Sequence, residues 1–423
     1  MLRPSLAFVL LMTAASCSGD DSGTPNDAGA DSALDAMAQD SATDAATDAA
    51  TDAATDAGAM DAAPDTATDS GRDAAMDAGP DAGVVTSPFY PRLVVVNTTD
   101  DTVEIWNNAD TISANTPADI TLGSLGAEPA LVAYQRTTGR FFVLLQSTGT
   151  NSILIYDDFG ALTSAASPSD TVPISAYAGT PPGAFLVDME VDPSGDLWFV
   201  DGRIFRFANA ATMGSTSSVA ALFTHPFGQI YAFAYSAAGD VLFAGQSSGA
   251  GVIGWSGASA KSGVIAGADF TVFGEGPFSW LDVAGDRLYA ANTVATSEEG
   301  YVNIWNGASS LSAATPPDAK LTATSGLGPV NHLDVEGDTL IATMTDDRVA
   351  VYTTASAISG ELSPTQEASN AAVDNAQRAQ RDASDRLYVM DFGGVSIFAG
   401  ATTGPAFVTK LTVTTSVDFM IVQ

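Results

Sequence analysis

A short strand that ends in an aromatic residue recurs seven times along the chain. Its clearest copy is Tyr301-Val302-Asn303-Ile304-Trp305, which is followed three positions later by Ala308. Alanine holds that third position in six copies, and Phe159 replaces it in the other. The seven aromatic residues are spaced 50, 51, 48, 50, 47 and 46 residues apart: Trp106, Tyr156, Phe207, Trp255, Trp305, Tyr352 and Phe398. A repeat of roughly 40–50 residues built from short strands is typical of a β-propeller. The spacing therefore predicts an all-β, seven-bladed propeller over residues 88–423.

The turns and the two ends of the repeat region predict how each blade is built and how the ring closes. Each unit has four strand signals separated by turns rich in Gly, Asn, Asp, Ser and Pro. The first unit starts directly at Arg92–Asn97 and lacks an inner strand, whereas the apolar run 417–422 is left over at the end. We expect that run to complete the first blade, because closure removes the open sheet edges. In the last unit, residues 376–382 (AQRAQRD) favour helix, so a helical insertion within residues 366–398 is an alternative there.

The N-terminus predicts export. Residues 1–16 have the pattern of a secretory signal peptide, with Arg3, an apolar run at 6–12 and then small residues. Cys17 is the only cysteine, and Ala14-Ala15-Ser16-Cys17 resembles a bacterial lipobox. We expect a lipid on Cys17; the alternative is an ordinary signal peptide with a chance cysteine. The apolar run is far too short to span a bilayer.

Residues 17–87 predict a disordered acidic linker. Residues 18–83 contain 16 Asp and one base, a net charge of −15, and no aromatic residue. Asp at every fourth position would place like charges along one helix face, and nothing there can form a core. The remaining segment also carries a net charge of −21. An acidic surface of this kind argues against nucleic acid as a partner.

Two units resemble the NHL-type and related β-propeller repeats of exported bacterial proteins. The matching segments are VDPSGDLWFVD at residues 191–201 and GDRLYAAN at residues 285–292. The resemblance covers residues 91–423 and implies the propeller fold. It implies little about activity, since propellers serve as enzymes, as binding proteins and as scaffolds.

The sequence offers few residues with the chemistry of a site. Glu128, Glu275, Asn331 and Asn375 could give oxygen ligands to calcium at the mouth of the central channel, as in some propeller lactonases. The chain has one cysteine and two histidines, so a zinc site is not expected. The GxSxG match at residues 245–249 lies in a hairpin loop rather than in the strand-to-helix turn of a hydrolase.

A second candidate site is a channel site for an anionic ligand formed by Arg378, Arg381 and His332. Guanidinium groups suit carboxylate and phosphate ligands. The alternative interpretation is that both arginines pair with acids of the inner strands, such as Asp192, Asp334 or Asp382.

These patterns favour a lipoprotein of the outer membrane or cell surface of a Gram-negative bacterium. We expect a monomeric binding or scaffold module, with a protein or carbohydrate ligand and no nucleic-acid partner. The alternative is an exported propeller enzyme, such as a calcium-dependent hydrolase or lactonase.

Overall fold

A computed structural model describes residues 91–147, 150–174, 186–225, 229–246, 251–273, 277–292, 301–413 and 416–422. The predicted signal peptide, the linker, Cys17 and Glu275 lie outside these residues. The described part forms seven separate sheets, each with four antiparallel strands, and one sheet gains a fifth. The all-β, seven-bladed propeller is therefore confirmed.

Each blade follows the chain from an inner to an outer strand. Blade 1 has β1 (Arg92–Asn97), β2 (Thr102–Trp106) and β3 (Ile120–Leu122); blade 2 has β4 (Glu128–Gln135), β5 (Arg140–Gln146), β6 (Asn151–Tyr156) and β7 (Asp170–Ile174). Blade 3 has β8 (Asp188–Val191), β9 (Leu197–Val200), β10 (Ile204–Phe207) and β11 (Ala221–Thr224). Blade 4 has β12 (Ile230–Ser236), β13 (Val241–Gln246) and β14 (Val252–Ser256), then β15 (Gly263–Ala266) and β16 (Phe270–Phe273). Blade 5 has β17 (Trp280–Ala284), β18 (Arg287–Ala291), β19 (Val302–Asn306) and β20 (Ala319–Leu321). Blade 6 has β21 (Val330–Glu336), β22 (Thr339–Met344), β23 (Val349–Tyr352) and β24 (Gln366–Ala368). Blade 7 has β25 (Arg378–Arg381), β26 (Arg386–Asp391), β27 (Gly394–Ala399) and β28 (Ala406–Thr412), and the chain ends with β29 (Ser416–Val422).

The ring closes as the sequence predicts. The last strand, β29, is the inner strand of blade 1 and pairs antiparallel with β1, with Arg92 opposite Val422 and Val95 opposite Phe419. The N-terminal and C-terminal parts of the propeller thus share one sheet, and β1 is paired on both edges.

The hydrophobic core is divided among the contacts between neighbouring blades. The described buried residues form seven clusters, and each cluster takes its members from two adjacent blades. Each of the seven repeated aromatic residues belongs to a different cluster and is at most 3% exposed. The repeat exists because each blade buries its faces only against the next one. The repeated aromatic residues therefore fill the core between the blades.

The residue three positions after each aromatic starts a short turn beneath the blade. In six units it begins a 3-10 helix, and it is at most 1% exposed in all seven. In blades 2–7 its N–H donates to a backbone oxygen of the turn between the first two strands of the same blade, as from Ala308 to Asp286 at 3.0 Å, and in blade 1 Ala109 donates to Pro91, just before β1. The 3-10 helices are Ala109–Thr111, Phe159–Ala161, Ala210–Thr212, Ala258–Ala260, Ala308–Ser310, Ala323–Ser325 and Ala355–Ala357. No helix in the described ranges is long and apolar enough to cross a membrane.

Two features differ from the sequence predictions. The helical alternative for residues 366–398 is wrong, because β25 occupies Arg378–Arg381 and pairs with β26. Alternation between buried Ala379 and its half-buried neighbours on either side suits a strand, and sheet pairing outweighs the local helix preference. In addition, β15 leaves blade 4 and pairs parallel with β11 at the edge of blade 3.

Candidate functional site

The seven inner strands direct two layers of side chains into a central cavity. Residues two apart on a strand point to the same side, so each inner strand contributes one residue to each layer. The cavity-lining residues of the first layer are Asp188, Trp280, His332, Arg378 and Asp418. Those of the second layer, nearer the turn that ends each inner strand, are Ala133, Glu190, Ala234, Asp282, Asp334, Gln380 and Met420. The two layers bring acids from four blades together.

The cavity has a volume of about 430 Å³. Blades 2 and 4 contribute only the methyl groups of Ala133 and Ala234 to the second layer. Because these side chains are so short, they leave space at the level of the longer acids of blades 3, 5 and 6. This volume lies within the range of roughly 300–1,000 Å³ that is common for small-molecule sites.

Arg378 is the centre of the first layer. Its guanidinium group pairs with Asp418 and, at 3.5 Å, with Asp188, and it also donates to the carbonyl oxygen of Val187. It lies 4.8 Å from the centroid of the Trp280 ring, within cation–π range. Asp418 also accepts backbone N–H groups from Val132 and Phe419, both at 2.9 Å. The Arg378 charge is therefore already balanced by two protein carboxylates.

The two carboxyl groups of the first layer, those of Asp188 and Asp418, have raised pKa values although Arg378 is close to both. Burial raises the pKa of Asp418 to about 6, and Arg378 opposes that shift. Burial likewise raises the pKa of Asp188, again opposed by Arg378. The loss of hydration thus outweighs the neighbouring positive charge at both acids.

His332 is held in the first layer as a neutral imidazole. Its side chain is 4% exposed, and its ring centroid lies 4.2 Å from that of Trp280. Burial, and then the charge of Arg378, lower its pKa well below the ordinary value. Its Nδ1 atom has no hydrogen-bond partner within the described part of the chain. A neutral imidazole has one donor and one acceptor nitrogen, so His332 keeps unused hydrogen-bonding capacity beside the cavity.

The second layer holds three carboxyl groups, from Glu190, Asp282 and Asp334, which we call the acid triad. All three are only partly exposed, because they face the cavity from deep inside the ring. Burial raises the pKa of Asp282 to about 6, even though Asp282 accepts the Val335 N–H at 2.7 Å.

Burial followed by repulsion from other acids raises the pKa values of Glu190 and Asp334 well above the ordinary range. Asp188 and Asp282 are the main repelling charges at Glu190, and Asp282 is the main one at Asp334. The acid triad therefore holds protons at a pH where exposed carboxyl groups have lost them.

The sequence-predicted channel residues are only partly brought together. Arg378 and His332 line the cavity, whereas Arg381 does not and instead pairs with Asp385 at 3.4 Å. Both arginines pair with acids, as the alternative interpretation expects, but the partners are Asp188, Asp418 and Asp385 rather than those named from sequence.

The predicted calcium ligands are scattered more widely. Asn331 and Asn375 meet at 3.4 Å, and Asn331 also donates to the carbonyl oxygen of Ala376 at 2.9 Å. Glu128 is the first residue of β4 and is exposed. Partial loss of hydration, and then the charge of Asp101, raise its pKa. Among the described residues, no group of three or more His, Cys, Asp or Glu side chains is arranged to hold a metal ion.

Sequence reasoning overlooked most of the cavity acids, although a signal for them exists. When the units are aligned on the turn that ends the inner strand, Glu190, Asp282 and Asp334 occupy the same position. Because side chains alternate along each inner strand, acids two residues before these positions belong to the first layer. Alignment of the repeats therefore identifies the strand positions that line the cavity.

Comparison with known proteins adds support for the fold. No family model matches the chain, and no curated protein matches it. Among solved structures, the periplasmic gluconolactonase PpgL of Pseudomonas aeruginosa is 13% identical with a TM-score of 0.56, covering 79% of this chain and 99% of that one. A candidate 6-phosphogluconolactonase from Bacteroides fragilis is 13% identical with a TM-score of 0.57, covering 80% and 99%. One from Bacteroides uniformis is 15% identical with a TM-score of 0.53, covering 79% and 100%. The likeness is one of fold. At this identity the chemistry of the site must be argued from its own residues.

Proposed function

We propose that this chain is an exported propeller that binds a small polar molecule in its central cavity. The observation that carries the proposal is the cavity of about 430 Å³, lined by polar side chains of two layers. The short side chains of Ala133 and Ala234 leave the volume that a ligand needs. The aromatic side chain of Trp280 lines the cavity and His332 has an unused hydrogen-bonding atom, which are common features of sites for small polar molecules.

A cavity-filling variant tests this proposal without altering charge. Ala234→Phe should occupy the space beside the acid triad and abolish ligand binding. Ala114→Phe, at an exposed alanine, is the matched control. The measurement is a thermal-shift screen against sugars, sugar lactones, amines and organic acids, followed by calorimetry of the hits. The proposal fails if hits bind equally well to the wild type and to Ala234→Phe.

A second candidate function is hydrolysis of a small lactone, and the acid triad favours it. Asp282, with a pKa of about 6, suits a general base that activates water, while Glu190 and Asp334 hold protons that a general acid could donate to the leaving oxygen. The lactonases among the structural neighbours support the idea only at the level of fold.

The hydrolase candidate has a direct assay. Gluconolactone opening is followed by acid release in a pH-stat, and Asp282→Asn should lower kcat by about a hundredfold, the usual contribution of a general base. Asp346→Asn removes an exposed carboxylate outside the cavity and serves as control. Equal rates for the two variants would remove Asp282 from the mechanism.

Export and anchoring complete the proposal. We infer that a lipid on Cys17 attaches the protein to the outer membrane and that the acidic linker at 17–87 separates the propeller from it. Cys17→Ser should move the protein from the membrane fraction to the soluble exported fraction. A wild-type protein that is already soluble after export would contradict the anchor.

A further inference from the structure

The charges that face the cavity are unevenly distributed between its layers. In the first layer, Arg378 is paired with Asp188 and Asp418. In the second layer, the acid triad shares its level with uncharged side chains, among them Gln380, whose Oε1 atom accepts the Ile421 N–H. The other lining base, Arg136, is exposed in the turn after β4. Acids without a paired base are thus concentrated in the second layer.

Among the described residues, no cationic side chain lines the cavity at the level of the acid triad. The charge of Arg381 opposes the raised pKa of Asp334, but its guanidinium group is paired with Asp385 outside the cavity. The other charges that act on the triad from outside it are acids: Asp188 and Asp192 act on Glu190, Asp188 on Asp282, and Glu336 on Asp334. The triad therefore has either protons or an external cation to balance it.

An independent feature points to an external ligand. The Nδ1 atom of His332 is buried without a hydrogen-bond partner, and His332 lines the same cavity one layer above the triad. Buried polar atoms in native proteins are nearly always hydrogen-bonded, and the exceptions often mark the place of a missing partner. A molecule that reaches from the triad to the first layer would supply that partner.

We propose that the acid triad receives the ammonium group of a small organic cation, and that the cavity rejects phosphorylated and carboxylated molecules. This inference rests on the proposed binding function and names its ligand class. An ammonium group only donates hydrogen bonds and carries a charge opposite to that of a carboxylate, so it can donate to each carboxyl group of the acid triad that it reaches. A bare metal ion fits less well, because the described residues include no three-ligand metal group. The cavity volume also exceeds what a single ion fills.

Binding of a cation is coupled to release of protons from the triad. A positive charge near Glu190, Asp282 and Asp334 lowers their pKa values, so protons leave when the ligand enters. Affinity for an amine should consequently rise as pH increases from 5 to 7.5, which covers the pKa of about 6 at Asp282. A neutral ligand lacks this coupling.

The test uses three ring compounds of nearly equal size, namely cyclohexylamine, cyclohexanol and cyclohexanecarboxylate, and calcium chloride as the metal probe. Calorimetry with the exported, processed protein should give at least tenfold tighter binding of the amine than of the alcohol, and no binding of the carboxylate. Glu190→Gln and Asp334→Asn should each weaken amine binding at least tenfold. Asp346→Asn, which removes a carboxylate that is 49% exposed and outside the cavity, should leave it unchanged.

The outcomes separate the ligand class from the binding function. If the alcohol or the carboxylate binds as tightly as the amine, and Ala234→Phe abolishes that binding, the charge inference is wrong while the binding function stands. Stabilisation by calcium that is lost in the triad variants would make this a metal site and overturn the inference. If none of the three ring compounds binds, the inference also fails, and the binding function falls only if the wider screen fails too. Glu190→Gln and Asp334→Asn each remove a carboxyl group that repels its neighbours, so we expect both variants to fold. A cooperative thermal melt checks that they do.

Discussion

At the scale of single residues, Arg378 is the side chain on which most cavity contacts converge. It joins inner strands that are far apart in sequence, because Asp188 and Asp418 belong to blades 3 and 1 while Arg378 belongs to blade 7. Removal of one partner from a buried charge cluster leaves the other charges without compensation, which is strongly destabilising. Arg378 is therefore expected to stabilise the whole ring as well as the cavity.

We expect Arg378→Ala to reduce the free energy of unfolding by about 3–5 kcal/mol at pH 7.5. Arg381→Ala is the matched control on the same strand, since its pair with Asp385 is partly exposed and is worth about 1 kcal/mol or less. The deficit of Arg378→Ala should shrink at pH 5, where Asp188 and Asp418 can take up protons. Urea denaturation of both variants at the two pH values measures this. Equal losses for the two arginines would contradict the role of Arg378.

At the scale of the repeated element, the small residue after each aromatic fixes the turn below the blade. In unit five, Ala308 donates to the carbonyl oxygen of Asp286, and the Asp286 side chain accepts the next N–H, from Ser309, at 2.7 Å. The alanine has no free space around it, because it is fully buried. Unit two accommodates Phe159 since its ring packs 4.9 Å from Phe141 in the adjoining strand.

Ala308→Val should therefore destabilise the protein by about 1–3 kcal/mol, the usual cost of overpacking a core position. Ala314→Val, at an exposed position just after the same turn, should change stability by less than about 0.5 kcal/mol. Thermal melts of the two variants at one pH measure the difference. Equal stability of the two variants would show that the position tolerates larger side chains.

Much of the blade was predictable from the sequence, whereas the cavity was not. The aromatic residues recur in every unit, and the C-terminal strand is left over after the last unit, so the role of both can be predicted from the repeat pattern. The acids Asp188, Glu190 and Asp418 share their repeat positions with residues of other types in other blades, so the repeat marks these positions but not their charge. Their role depends on which blades meet across the channel. The local helix preference of residues 376–382 likewise did not predict β25, because the strand is stabilised by its pairing in the sheet rather than by its own sequence.

At the scale of the whole molecule, the cavity acids make stability depend on pH. Asp282 and Asp418 have folded-state pKa values of about 6, above their ordinary value of 3.8. The folded state therefore binds more protons than the unfolded chain between about pH 4 and 6, and stability falls as pH rises through that window. The acids with lowered pKa values, such as Asp338, act below this window.

We expect the Tm to be higher at pH 5 than at pH 7.5. Asp282→Asn should reduce that difference, because it removes one of the titrating groups and its repulsion of Glu190 and Asp334. Differential scanning calorimetry in buffers of equal ionic strength is the measurement. A Tm that rises steadily from pH 5 to pH 7.5 in the wild type would contradict the raised pKa values.

The closure of the ring gives the last prediction. Strand β29 contributes Phe419, 2% exposed, and Ile421, 9% exposed, to the core between blades 7 and 1. Burial of each side chain is worth roughly 1.5–3 kcal/mol. The strand also carries Asp418, the partner of Arg378, and covers the open edge of β1. Together these losses approach the entire stability of a typical domain.

Deletion of residues 414–423 should consequently unfold or aggregate the propeller, although it removes only ten residues. Phe419→Ala alone should cost about 3–5 kcal/mol and leave a folded protein. Met420→Ala on the same strand is the comparison and should cost less, because Met420 lines the cavity and is only partly buried against the core between blades 1 and 2. Circular dichroism melts and size-exclusion chromatography compare the three proteins with the wild type. A truncated protein that elutes as a monomer and melts within a few degrees of the intact one would show that the ring does not depend on β29.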